Sequence, residues 1–216
     1  MRRLRSVLIW LALLAIITVP IVAAVQSPLL EWRQPIYIIA GFAGIVALAI
    51  LLVQPMLAAG LLPDLSLGQA RKLHQLVGMA LVAAVVVHVG GLWIFSPPDV
   101  IDALTLRSPT PFSLWGVIAM WAVFAAAVLA LLRRRLAFRV MTWRKVHTGL
   151  AAITVLGTVA HALLIEGAME TLSKVLLSTA VLFVTAWVIY RSGIWTKKKP
   201  KRKKEAARSD PFQSHG

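Results

Sequence analysis

Charged residues along the chain leave six apolar segments almost free of charge, near residues 7–25, 36–58, 73–95, 113–132, 146–165 and 173–191. Each is about 20 residues long, and a helix that rises about 1.5 Å per residue crosses a hydrocarbon core of about 30 Å with that number. A helix satisfies its own backbone hydrogen bonds in lipid, and no segment shows the period-two alternation of a barrel strand. The pattern predicts an all-α membrane protein, a six-transmembrane-helix bundle.

The segment from Ser96 to Phe112 is the longest connection on its side of the membrane and contains four prolines, Pro97, Pro98, Pro109 and Pro111. Because proline removes a backbone donor and breaks helices, we expect a stiff, non-helical cap. Four tryptophans fall at the ends of predicted spans, where indole rings prefer the membrane interface: Trp93, Trp115, Trp143 and Trp195. We expect these rings to anchor the spans.

The first apolar segment has two interpretations. Three arginines precede it and Val22-Ala23-Ala24 ends it, as in a signal peptide with its cleavage site. However, the segment is long for a signal peptide, and the residues after it form a short connection to the next span. We expect a retained first span, and cleavage would leave the orientation of the other spans unchanged.

The basic residues predict the orientation. If the N-terminus is inside, the inner segments hold 20 of the 23 Lys and Arg residues, and the outer connections hold only Arg33, Arg107 and Lys174. Positive residues mark the cytoplasmic side, so both termini are expected there, in a bacterial inner membrane. Residues 1–195 form the predicted membrane domain, with its core at 36–195. The basic tail, 196–216, is expected to be disordered and to attract anionic head groups.

Composition narrows the chemistry. The 216 residues are 59% hydrophobic with a mean hydropathy of +0.82, which is typical of a membrane protein. The chain has no cysteine, which excludes disulfides, thiolate metal sites, iron–sulfur clusters and covalently attached haem. The net charge of +15 lies in the tail and in short connections, a distribution that fits membrane topology better than nucleic-acid binding.

Four of the five histidines lie in two segments that repeat each other. Arg71-Lys72-Leu73-His74 is followed after fourteen residues by His88, and Arg144-Lys145-Val146-His147 is followed after fourteen residues by His161. Fourteen residues fall 40° short of four helical turns, so both histidines of a segment share one face, about 21 Å apart along the axis. The third and fifth spans are parallel because one span separates them. The spacing therefore predicts two facing pairs: His74 with His147 near the cytoplasmic side, and His88 with His161 toward the outside.

Two imidazoles alone suit haem better than a free ion. Zinc takes four protein ligands, and neither segment offers a carboxylate before Glu166. A porphyrin supplies four nitrogens and needs two axial ligands, so we predict two haems of the b type. Histidines that bond between helices or relay protons remain the alternative. Small residues in these two segments would let a flat porphyrin ring approach the helices. They are Gly78, Ala84, Gly149, Ala151 and Gly157.

Haem propionates need cations. The residues within one turn of the inner histidines are Arg71, Lys72, Arg144 and Lys145, which we predict to bind the inner haem. The positive-inside rule explains these four residues equally well. For the outer haem, Arg107 is the predicted outer-side partner.

Over residues 36–195 the four-histidine arrangement resembles the ferric reductase-like transmembrane domain superfamily, which includes the membrane core of NADPH oxidases and small bacterial haem membrane subunits. The resemblance implies that His74 and His147 hold the cytoplasmic-side haem, and that His88 and His161 hold the outer one. It also implies transmembrane electron transfer from a cytoplasmic-side donor to an extracytoplasmic acceptor, as the membrane component of an oxidoreductase. No catalytic residue is predicted in the chain itself.

The full-length members continue into a dehydrogenase module that binds FAD and NAD(P)H. This sequence shows no Gly-x-Gly-x-x-Gly, so we expect no FAD or NAD(P) site in the chain and a separate flavoprotein or a quinol as electron donor. The expected acceptor is a periplasmic protein or a ferric chelate. Small bacterial members resemble the membrane halves of two-component systems, including partners of a periplasmic methionine sulfoxide reductase.

Two other functions stay open. One is a cytochrome b subunit of a quinol-linked or periplasmic-reductase complex with no substrate of its own. The other is a polytopic scaffold or small-molecule carrier with incidental histidines.

Overall fold

The computed structural model describes residues 2–195. This part of the chain is helical and contains no strand. Its α-helices, numbered in chain order, are α1 (Arg2–Val25), α2 (Pro35–Ala58), α3 (Leu67–Phe95), α4 (Pro97–Leu104), α5 (Pro111–Leu131), α6 (Val140–Leu164) and α7 (Thr171–Ser192). The six predicted spans correspond in order to α1, α2, α3, α5, α6 and α7. The tail predicted over 196–216 lies outside the described residues.

These six helices are each long and apolar enough to cross a membrane, which confirms the multi-pass helical architecture. Helices α3 and α6 both begin before the apolar segments predicted for them. At α3 a capping box explains the early start: the Ser66 hydroxyl accepts from the Gln69 backbone N–H, and the Gln69 side chain accepts from the Ser66 N–H. Residues 67–72, which include Arg71 and Lys72, therefore extend α3 by nearly two turns before its apolar part.

The prediction that Ser96–Phe112 contains no helix is wrong. Helix α4 spans Pro97–Leu104, and its two prolines occupy the first turn. There a missing N–H costs nothing, because the first four N–H groups of a helix have no partner within it, and the fixed φ of proline suits the helix. Asp99 in the same turn complements the positive end of the helix. The prolines therefore start a helix here and do not prevent one.

The bundle is built from two antiparallel hairpins, α2–α3 and α5–α6, whose helices make the most extensive contacts. In the first hairpin His88 contacts the carbonyl of Ala40 and His74 contacts that of Gln54, so residue numbers fall along α2 as they rise along α3. In the second hairpin the same holds for α5 and α6. Helix α7 packs on both hairpins, against α2 and α6, and α1 packs on α7 and α2.

The two ends of the bundle differ in charge and cover. The end at which α3 and α6 begin, here called the basic end, carries exposed Arg71, Lys72, Arg133, Arg134, Arg135, Arg144 and Lys145. The opposite end, here called the capped end, is covered by α4. Between them lies an apolar core to which α2 and α7 contribute the most deeply buried large side chains, Leu52, Leu177 and Val181. Many large apolar side chains elsewhere are exposed on the outer faces of the helices, as lipid contact requires.

Candidate functional site

The four histidines of α3 and α6 meet as two pairs of facing rings. His74 and His147, here called the first pair, have ring centroids 6.4 Å apart with planes at 71°. His88 and His161, the second pair, have centroids 6.1 Å apart with planes at 82°. The first pair lies toward the basic end and the second toward the capped end, about 21 Å apart along each helix. The structure therefore brings together the pairs that the spacing predicted, on parallel helices.

The distance within each pair suits one shared metal atom. A metal–imidazole bond is about 2 Å long and a ring nitrogen lies about 1 Å from the ring centre, so two rings on opposite sides of a metal have centroids about 6 Å apart. Both pairs show this separation. The centroid separation in each pair is therefore the one expected for two imidazoles that share a metal atom.

Backbone carbonyls orient three of the four rings. The Nδ1 atom lies 2.7 Å from the Ala40 carbonyl oxygen in His88, 2.8 Å from that of Phe112 in His161, and 3.2 Å from that of Gln54 in His74. Because a carbonyl only accepts, Nδ1 must carry the proton and donate. This tautomer leaves Nε2 as the free nitrogen, which is the arrangement typical of metal-binding histidines.

The fourth ring, His147, is held differently. Its Nδ1 is buried and has no hydrogen-bond partner among the described residues. Instead the ring stacks on Trp143, one turn earlier in α6, with centroids 5.0 Å apart and planes within 8°. Trp143 was predicted to be an interfacial anchor, and the structure adds this contact with a paired histidine.

Two glycines let the second pair lie close to the neighbouring helices. A Cβ added at Gly44 of α2 would lie 3.0 Å from Nδ1 of His88, and one added at Gly116 of α5 would lie 2.8 Å from Nδ1 of His161. Neither residue was among the small residues predicted from the sequence. Of those, Gly157 instead packs on α5, where a Cβ would meet the Trp115 carbonyl at 3.0 Å, and Gly78 lies beside the Gln54 amide.

The second pair lines an apolar cavity of about 480 Å³ that extends to the capped end. Its wall is built twice from equivalent positions. In α2 and α5 the lining residues are offset by 72: Gly44, Ile45, Ala47, Leu48 and Leu51 against Gly116, Val117, Ala119, Met120 and Val123. In α3 and in α6 with its C-cap they are offset by 73: Val85, His88, Val89 and Leu92 against Thr158, His161, Ala162 and Ile165. The repeat seen in the histidines thus covers both hairpins, and the site lies between the two copies.

At the capped end the cavity meets polar groups. The hydroxyls of Ser108, Thr110 and Ser113 bond to one another at 2.6–3.1 Å, and all three residues line the cavity. Lys174, which is only 8% exposed, also lines it and donates from Nζ to the Ile165 carbonyl at the end of α6. Arg107, the cation predicted for this side, is exposed and is not among the lining residues. Sequence reasoning placed Lys174 on this side without recognising its burial.

The four cations predicted near the first pair lie at the basic end, where Arg71, Lys72, Arg144 and Lys145 are exposed. The Lys145 ammonium lies 5.9 Å from the centroid of the Trp195 ring. These positions are compatible with carboxylates emerging toward the basic end, and the assignment of the four residues stays a prediction.

The donor set favours a cofactor that brings its own equatorial ligands. Within residues 2–195, no three His, Cys, Asp or Glu side chains come together as they would around a protein-bound ion. Each pair offers two nitrogens only, with apolar walls around the second pair. A haem fits this set because its porphyrin supplies four nitrogens and its iron takes two axial imidazoles.

One family model matches the chain, that of the ferric reductase like transmembrane component, over residues 43–158. The match covers more than half of the 216 residues and includes His74, His88 and His147. No curated protein and no solved structure matches the chain.

Proposed function

The chain belongs to the ferric reductase-like transmembrane component family, and from that premise we propose that it conducts electrons across a membrane through two haems of the b type. His74 and His147 hold one haem and His88 and His161 hold the other. Bound haem supplies a redox-active iron at each of two depths in the hydrocarbon layer. The observation that carries the proposal is the pair of facing imidazole pairs, with 6.4 and 6.1 Å between ring centroids.

The side chains around the pairs support this function in three ways. Carbonyls on α2 and α5 fix the tautomer and the orientation of His74, His88 and His161, which would leave Nε2 of each ring available to hold a haem iron. The cavity wall around the second pair is mostly apolar, as suits a porphyrin. At the basic end Arg71, Lys72, Arg144 and Lys145 bind the carboxylates of the first haem, and at the capped end Lys174 replaces Arg107 as the cation for the second.

The distribution of Lys and Arg supports a direction. The basic end faces the cytoplasm by the positive-inside rule, in a bacterial inner membrane. Electrons then come from a cytoplasmic-side donor, a separate flavoprotein or a quinol, and pass to an extracytoplasmic acceptor, either a periplasmic protein or a ferric chelate. With two histidines on each haem the iron would have no free position, so the acceptor would react without binding to it.

Haem content tests the proposal. The purified protein, expressed with excess haem precursor, is expected to contain two haems per chain by pyridine haemochrome and to show a low-spin ferric spectrum. A His88→Ala/His147→Ala double variant, which removes one ligand from each pair, serves as the matched control. A wild-type value below one haem per chain contradicts the proposal.

A further inference from the structure

The two hairpins place their histidines alike except at one position. His88 and His161 each donate Nδ1–H to a carbonyl four residues before a matching glycine, Ala40 before Gly44 and Phe112 before Gly116. His74 also donates Nδ1–H to a backbone carbonyl of α2, that of Gln54. The same offset of 72 would put the Ala126 carbonyl opposite His147, yet Nδ1 of His147 is buried without a partner among residues 2–195. The repeat is therefore broken at this ring.

Trp143 lies where the repeat breaks. Its ring is nearly parallel to that of His147, at 8° and 5.0 Å between centroids. The offset of 73 that relates α3 to α6 makes Ala70 its counterpart, and Ala70 is buried at 1% exposure with no ring to offer His74. One histidine of the first pair is thus oriented by a hydrogen bond and the other by an aromatic face.

The indole is itself fixed from two directions. Its Nε1–H donates to the Leu129 carbonyl of α5 at 3.3 Å, near the C-terminal end of that helix. The Arg133 guanidinium lies 4.4 Å from the ring centroid, a cation–π distance. A mobile interfacial anchor would need neither contact. These two contacts tie the orientation of Trp143, and through it that of His147, to the connection between α5 and α6.

We propose that Trp143 is the positioning residue of His147, where it replaces the carbonyl contact that orients the other three paired histidines. The proposal rests on the proposed function, because it assigns Trp143 a role toward the haem of the first pair. Side chains that hold a metal-binding histidine in position typically contribute 10- to 100-fold to metal affinity. Loss of the aromatic face therefore weakens haem binding at the first pair and leaves the second pair unaffected.

Two substitutions separate the aromatic face from the rest of the side chain. Trp143→Leu removes the ring, and Trp143→Phe keeps a ring that can stack but lacks the N–H. Trp187→Leu is the matched control, because Trp187 is another tryptophan, lies in α7 and is 48% exposed. Each full-length variant is purified after growth at limiting haem and titrated with haemin, followed by optical spectra and by ferric electron paramagnetic resonance.

The first-pair signal is identified as the one that a His147→Ala variant lacks. Trp143→Leu is expected to weaken haemin binding at this pair by about tenfold or more and to change its resonance, while the second-pair signal stays intact. Trp143→Phe keeps the stacked ring but loses the bond to Leu129, so it should weaken haemin binding at this pair less than Trp143→Leu does. Trp187→Leu should remain close to wild type. In a His147→Ala background Trp143→Leu should have no further effect on the remaining signal, since it acts through His147.

Unchanged first-pair binding and resonance in Trp143→Leu would overturn the positioning role while two haems in the wild type uphold the proposed function. Equal weakening of both pairs, or an added effect in the His147→Ala background, would overturn it as well, because that is a general loss of structure. Failure of the wild type to bind haemin would overturn the proposed function itself.

Discussion

A Cβ on Gly116 would lie 2.8 Å from Nδ1 of His161, closer than real Cβ contacts come. The ring cannot retreat easily, because the same Nδ1 is bonded to the Phe112 carbonyl at 2.8 Å. Gly44 stands in the same relation to His88 in the other hairpin, with 3.0 Å to Nδ1. The Nδ1 side of each second-pair ring therefore packs against a glycine of the neighbouring helix, α2 or α5, which has no side chain there.

The first prediction follows from this packing. Gly116→Val is expected to displace His161 and to lower haem content from two per chain toward one, with loss of the second-pair spectrum. The measurement is haem per chain with optical spectra at low temperature. Gly90→Val is the matched control in α3, because nothing lies within 4 Å of a Cβ at that position and Gly90 does not line the cavity. Full haem content in Gly116→Val would show that the glycine is not needed for ligation.

A second prediction concerns the independence of the two pairs. His88→Ala removes one ligand of the second pair and should abolish that haem signal while sparing most of the first, because the pairs lie about 21 Å apart. His147→Ala should do the reverse. Spectra of the two variants should therefore sum to that of the wild type. If each substitution removes both haems, either the pairing by depth or the independence of the sites is wrong.

The histidine pairs could be predicted from the sequence because a polar side chain in an apolar helix stands out and the spacing of fourteen is close to whole turns. Gly44 and Gly116 could not, since small residues occur at any contact between membrane helices. Their separation of 72, set beside the 73 of the histidines, was the available signal. Recognising it requires aligning two helices that share little besides apolar character.

Two other differences have equally local causes. The four prolines of Ser96–Phe112 predict a break in helical structure, but Pro97 and Pro98 fall in the first turn of α4, where proline is favoured. Arg107 and Lys174 look alike in a charge pattern, because such a pattern gives the side of the membrane and not the face of the helix. Only packing shows that Lys174 points toward the cavity and that Arg107 is exposed.

The third prediction tests these two cations. A positive charge near a haem disfavours the oxidised state, because that state carries one more positive charge than the reduced state. Lys174→Gln removes such a charge near the second pair and should therefore lower the midpoint potential of that haem. The expected shift is of the order of 60 mV, which is a tenfold change in a one-electron equilibrium. Arg107→Gln, which removes an exposed charge from the same end, is the control. The measurement is a potentiometric titration. A shift in Arg107→Gln without one in Lys174→Gln would favour Arg107 as the cation for the second haem.

The fourth prediction tests the orientation, and the absence of native cysteine makes it direct. Arg135 at the basic end and Arg107 at the capped end are both exposed, so Arg135→Cys and Arg107→Cys remove the same charge and introduce one thiol each. A membrane-impermeant maleimide should label Arg107→Cys in intact cells and Arg135→Cys only after permeabilisation. The wild type should stay unlabelled throughout. The reverse labelling pattern would show that the basic end faces outward, and the proposed direction of electron flow would then be reversed.

The last prediction separates a flavoprotein donor from a quinol. The described residues offer a basic end beside the first pair, where a soluble acidic protein can dock, and apolar outer faces that a quinol could reach from the lipid. If the donor is a soluble flavoprotein, NAD(P)H with a cytosolic fraction should reduce the haems of purified protein in vesicles, and that rate should fall several-fold at high salt because exposed charges are screened. It should fall similarly when Arg134 and Arg135 are replaced by Gln. Full reduction by menaquinol or ubiquinol, without flavoprotein and without dependence on salt, would instead favour the cytochrome b subunit of a quinol-linked complex.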